Sequence, residues 1–137
     1  MAVYLSNGVV LTVNAVDLSS LVSSVTINRS FEELSVTAMG DSGQRYVKGL
    51  EASSITIDFF NDAESAKTLQ TLNSSSVWGN NVTVTAKQTS AATSATNPLY
   101  TMSCLVNNTT PINGAVGDLS TQSVTWNVSG TIAITTA

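Results

Sequence analysis

Apolar and polar residues alternate with a period of two along much of this chain. Val25, Ile27 and Arg29 alternate with Thr26, Asn28 and Ser30, and Leu34, Val36 and Ala38 with Ser35 and Thr37. Ile55, Ile57 and Phe59 alternate in the same way with Thr56 and Asp58. Successive side chains of an extended strand point to opposite sides of a sheet, so the pattern predicts strands that bury one face. Val9–Val13, Asn81–Gln88 (Val82, Val84 and Ala86 on one side) and Leu99–Asn107 follow the same rule. So does Thr121–Ser129, with Val124, Trp126 and Val128 inward, and Thr131–Thr135 closes the chain as a short strand or tail. Leu21–Ser30 runs into Glu32–Ala38 without a glycine or Asn-Gly pair, which predicts a bend or bulge near Phe31 in one long ribbon rather than a tight hairpin.

Three stretches depart from this rhythm. Asn61–Ser76 is the single predicted helix: Asn61 with Glu64 resembles a capping box, and Ala63, Ala66, Leu69 and Leu72 form a stripe at helical spacing that would pack on the sheet. Met39–Leu50 (MGDSGQRYVKGL) holds three glycines and predicts a long exposed inter-strand loop, the kind of loop that is usually functional when ordered. Thr89–Asn97 (TSAATSATN) is low in complexity and predicts a mobile linker. At the start, residues 1–15 suit an edge hairpin or an arm that packs on a neighbouring subunit, and the residues fit both.

Length and composition narrow the class. A chain of 137 residues makes one domain with its own core. Charged residues are only 10% of it, so packing against other copies meets little electrostatic repulsion. The formal charge of −4, with Arg29, Arg45, Lys48, Lys67 and Lys87 scattered, leaves no basic footprint for nucleic acid. An acidic protein can still surround DNA without gripping it.

Candidate chemistry is sparse. There is no histidine, which removes the commonest general base and metal ligand. Gly40-Asp41-Ser42-Gly43 lacks the lysine and apolar helix of a phosphate loop, and Asp58, Asp62 and Glu64 offer too few oxygen ligands for calcium. Glu32 and Glu33 are strand neighbours whose side chains diverge. Cys104 shares the parity of Met102 and Val106, which predicts a buried, unreactive thiol. No secretion signal or membrane span is expected. The chain is accordingly expected to be no enzyme and to use no cofactor or metal.

The stretches DLSSLVSSVTI, VTAMGDSGQRYVKGLEASSITIDFFND, NPLYTMSCLV and GAVGDLSTQSVTWNVSG, taken in order and spacing, resemble the small tail tube (major tail) proteins of siphophages. The resemblance spans about Val16 to Gly130, and the first fifteen residues fall outside it. It implies a mainly β fold, two sheets packed as a sandwich or barrel with one flanking helix. It further implies hexameric rings stacked into a hollow virion tube, made in the bacterial host cytoplasm and joined by tape-measure and tail-terminator proteins. DNA would pass through the lumen without specific binding. The resemblance puts the contact with the next ring at Gly40, Asp41, Ser42, Gly43, Gln44, Arg45, Tyr46 and Lys48. A capsid decoration or cement protein is the competing expectation. A secreted carbohydrate-binding sandwich using Trp78 and Trp126 is a third, weakened by the inward parity of Trp126.

Overall fold

The computed structural model describes residues 8–65 and 67–136. It contains β1 (Val10–Val13), β2 (Val16–Asp17), β3 (Val22–Asn28), β4 (Phe31–Ser35), β5 (Tyr46–Glu51), β6 (Ser54–Phe60), α1 (Thr68–Asn73), β7 (Asn81–Lys87), β8 (Leu99–Leu105), β9 (Thr121–Asn127) and β10 (Ala133–Thr135). Every strand pair is antiparallel. Five strands form one sheet in the order β10-β8-β7-β1-β2, and three form a second in the order β3-β6-β9. The fold is mainly β and sandwich-like. The first seven residues, and with them part of the proposed arm, lie outside the described residues.

The inward faces are those that the alternation predicts. Leu11, Val13, Val82, Val84, Ala86, Met102 and Cys104 of the larger sheet meet Ile55, Ile57, Phe59, Val124 and Trp126 of the smaller one, all buried. The Phe59 and Trp126 rings lie tilted at 42° with centroids 6.3 Å apart, a favourable aromatic geometry. Trp126 Nε1 donates to the Asn108 carbonyl at 3.2 Å, so the largest core side chain buries no unpaired donor. Beyond β9 the chain crosses between sheets: Val128 N donates to Ser53 O at 2.9 Å and Ser129 N to Ser103 O at 2.6 Å. Burial pushes the Cys104 thiol up to about 12, which fits a packed, inert cysteine.

Val10–Val13 pairs with β7 inside the sheet and turns at Asn14-Ala15 to β2. Both turn residues have positive φ, 51° and 65°, the backbone that matches a two-residue hairpin to strand twist. Without a glycine, Ala15 gave no sequence signal for it.

The helix is much shorter than Asn61–Ser76. Asn61 does not cap it, because its side chain is committed elsewhere: the amide donates to Thr110 O (3.1 Å) and Ser120 Oγ (3.0 Å), and its oxygen accepts from buried Gln122 (2.8 Å). Asp62 accepts from Glu64 N at 2.9 Å, which makes a side-chain turn where the helix was expected. The buried face of α1 is Thr68, Thr71 and Leu72; of the expected stripe, Leu72 is buried and Leu69 half-buried, while Ala63 is exposed and Ala66 lies outside the described residues. Thr68 can be buried because its hydroxyl donates to Phe60 O at 2.9 Å. The Thr89–Asn97 loop also has internal order: Asn97, buried, donates to Thr89, Ala91 and Ala92 carbonyls and accepts from Thr89 N.

Trp126→Ala is expected to cost about 3–5 kcal/mol, the usual penalty for emptying a large aromatic site. Urea denaturation at neutral pH would measure it.

Candidate self-association surface

The long-ribbon expectation is correct in outline, with the break at Arg29-Ser30 on one strand and Ala52-Ser53 on the other. Asn28 pairs with Ser54, Ala52 N donates to Ser30 O at 2.7 Å, and Phe31 pairs with Glu51, so the hydrogen-bond ladder runs from the sandwich into β4 and β5. Beyond this elbow, among the described residues, the two strands pair only with each other.

The Met39–Leu50 loop is narrower than the sequence suggests. Tyr46, Val47, Lys48, Gly49 and Leu50 belong to β5, and Val36 N still donates to Arg45 O at 2.9 Å. Gly49 made the segment look loop-like, yet it sits at a register shift between Phe31 and Glu33, where the two strands crowd. A Cβ there would meet Glu32 Cβ and O at 3.0 Å. Gly40, Asp41, Ser42, Gly43, Gln44 and Arg45 therefore form the ribbon tip, while Tyr46 and Lys48 lie on its stem. Asp41 braces the tip, accepting from Ala38 N at 2.7 Å and facing Arg45 Nη1 at 3.8 Å. Gly40, at φ 93°, takes the turn that other residues resist. Thr37 Oγ1 accepts from Arg45 N at 2.9 Å, and the Tyr46 hydroxyl donates to Gln44.

The exposed side chains of the stem escaped the sequence reading. Leu34 opposes Val47, and Val36 shares their parity, so one ribbon face is aliphatic and open to water. Phe31, Glu33, Tyr46 and Lys48 occupy the other face, with Lys48 Nζ 5.4 Å from the Phe31 ring centre. Alternation through Leu34, Val36 and Ala38 predicted a buried face; among the described residues of one chain nothing buries it.

Glu51 holds the elbow. Its Oε2 accepts from Ile132 N at 3.0 Å and Ser53 Oγ at 2.9 Å, which ties the ribbon base to the crossover before β10. The Ile132 amide, then Ser53, with smaller help from Arg29 and Lys48, keeps this carboxyl below its ordinary range.

Edges differ as sharply as faces. Along β9, Asn108 donates to Thr125 O (3.1 Å), Asn113 donates to Thr121 O (2.8 Å), and Thr110 N donates to the Gln122 side chain (2.9 Å). These contacts close that edge to another strand. Among the described residues no loop hydrogen-bonds to the outer edge of β3, and that open edge leads directly into β4.

Of the two tryptophans, Trp126 is core and Trp78 half-exposed. No group of three or more His, Cys, Asp or Glu that could hold a metal occurs among the described residues, and none of their helices is long and apolar enough to cross a membrane. A scan against protein-family models finds no match, and a search of curated proteins finds none either.

A depressed carboxyl stabilises the fold above its unfolded pKa, and that contribution disappears as pH falls through the folded value. Glu51→Gln resembles the protonated form. Its melting temperature is expected to lie below that of the wild type at pH 7, with the gap closing below about pH 4. Calorimetry across that range checks it.

Proposed function

We propose that this chain is a tail tube protein of a siphophage, a structural subunit whose work is to bind copies of itself. In this reading subunits join side by side into hexameric rings, and rings stack into the tube through which DNA leaves the virion. The observation that carries it is the ribbon: a completed sandwich extends a paired but otherwise unsupported hairpin whose Leu34, Val36 and Val47 face remains wet. An isolated two-stranded hairpin is marginal in water, so copies of the chain supply the missing cover.

The open β3–β4 edge supports lateral association, because it offers backbone groups for strand addition while the β9 edge does not. The outer face of the smaller sheet supports a role as channel wall. Apart from Phe60 at one end, it presents Ser24, Thr26, Asn28, Thr56, Asp58, Ser123, Thr125 and Asn127, and its three strands hold no lysine or arginine. A hydroxyl and amide surface with one carboxylate stays wetted without holding phosphates, the property a DNA conduit needs. Tape-measure and terminator proteins would meet the ends of such a tube. No reaction or cofactor belongs to this reading.

Replacing Val36–Arg45 by Asn-Gly joins Ser35 to Tyr46 through a two-residue turn and removes the tip while leaving the paired stem. This variant is expected to remain folded and monomeric, whereas the wild type forms tubes in negative-stain images. Tubes of normal length from the variant would refute the role given to the tip. Wild-type protein that coats capsids and forms no tubes would assign it to capsid decoration instead.

A further inference from the structure

The two sheets of the sandwich do not close evenly. On β3, Val25 pairs with Ile57 and Ile27 with Ile55. The two β6 side chains are fully buried, whereas Val25 and Ile27, on the same inward face, are only half-buried. Beside them a groove of about 120 Å³ opens between the sheets, walled by Val9, Val25, Ile27, Ala86 and Tyr100. Lys87 is the one charged residue of its lining, and the ammonium is turned to the following loop, where it donates to Ala91 O at 2.9 Å. What remains is an apolar slot. A dry protein cavity of roughly 150 Å³ accepts a benzene molecule, so this groove has room for one large apolar side chain.

The chain itself starts from this groove. Val9 stands on its wall, one residue before β1, and shares the inward parity of Leu11 and Val13. The residues ahead of it read MAVYLSN. Met1 to Leu5 are all apolar, and Ser6-Asn7-Gly8 after them are turn-forming residues, with Gly8 lying in a turn. A reversal across Ser6–Gly8 sets Leu5 opposite Val9, and directly opposed residues of a hairpin share a face. Val3 shares that face too. Even fully extended, four residues of chain keep Leu5 within about 14 Å of Val9.

We propose that the apolar segment Ala2–Leu5 folds back on its own domain and fills this groove, with Leu5 as the side chain that enters it. Val25 and Ile27 then gain the cover that Ile55 and Ile57 already have, and apolar surface leaves water on both sides of the contact. The tether decides the source of the occupant. Three residues join Leu5 to the groove wall, which gives it an effective concentration on the order of millimolar there, while the segment of a second copy has only the bulk concentration. Side chains alone fill the groove, so the outer backbone edge of β3 stays free for strand addition. The proposal stands apart from the tube reading and gives the leading residues a part in closing the sandwich.

Thiol labelling of a Val25→Cys variant with an aromatic disulfide reagent tests it, since native Cys104 is buried and its thiol is pushed up to about 12. In dilute protein the introduced thiol is expected to react roughly tenfold more slowly than in the same variant lacking Ala2–Leu5. That ratio is expected to hold at every protein concentration. Equal rates in the two forms overturn the proposal. Protection that appears only as the protein is concentrated overturns it in favour of the segment of a second copy. A Val25→Cys, Leu5→Ser variant keeps the chain length and is expected to label as fast as the shortened form; labelling as slow as with Leu5 in place overturns the role given to that side chain. Cys104 that stays unlabelled reports an intact fold in each variant.

Discussion

A β-ribbon two strands wide satisfies half of its backbone hydrogen bonds and can cover neither of its faces. Everything distinctive about this chain follows from that shortage. From Asn28 and Ser54 inward, the strands are flanked by β9 and roofed by the larger sheet; from Phe31 and Glu51 outward, among the described residues, they have only each other. Leu34, Val36 and Val47 would be ordinary core residues under a third layer. Apolar area left in water stabilises nothing, and its transfer to a dry contact is worth roughly 25 cal/mol per Å². The ribbon therefore carries unused driving force, held in place at the elbow by Glu51, Ser53 and Ile132.

The sandwich beneath it is complete by contrast. Among the described residues no buried side-chain polar atom lacks a partner. Gln122, the polar residue on an inward position of β9, is paired with Asn61 and Thr110; Trp126 is paired with Asn108. The same loop residues that satisfy the core also cover the β9 edge. One segment thus stabilises the domain and closes the β9 edge of the smaller sheet to another strand.

Much of this was legible in the sequence. The inward parity of Ile55, Ile57 and Phe59, of Val82, Val84 and Ala86, and of Val124 and Trp126 reads directly, because each strand has one dry face and one wet one. The tip residues Gly40–Arg45 were also visible as a charged, glycine-rich interruption. Alternation cannot say what covers an apolar face, so Leu34 and Val36 looked like core. Gly49 disguised half of β5 as loop, since the crowding against Glu32 that demands glycine comes from the opposite strand. The helix was overextended for a similar reason: the partners that draw Asn61 away from capping, Thr110, Ser120 and Gln122, lie about fifty to sixty residues along the chain.

The central claim is that other copies of this chain supply the missing cover of the ribbon. Amide hydrogen exchange followed over a range of protein concentration tests it most directly. The account predicts that Leu34, Ser35, Tyr46 and Val47 exchange rapidly in dilute protein and slow by at least tenfold as it is concentrated, while Ile55 and Ile57 in β6 stay protected throughout. Ribbon amides that exchange at the same fast rate in concentrated, assembled protein would contradict it.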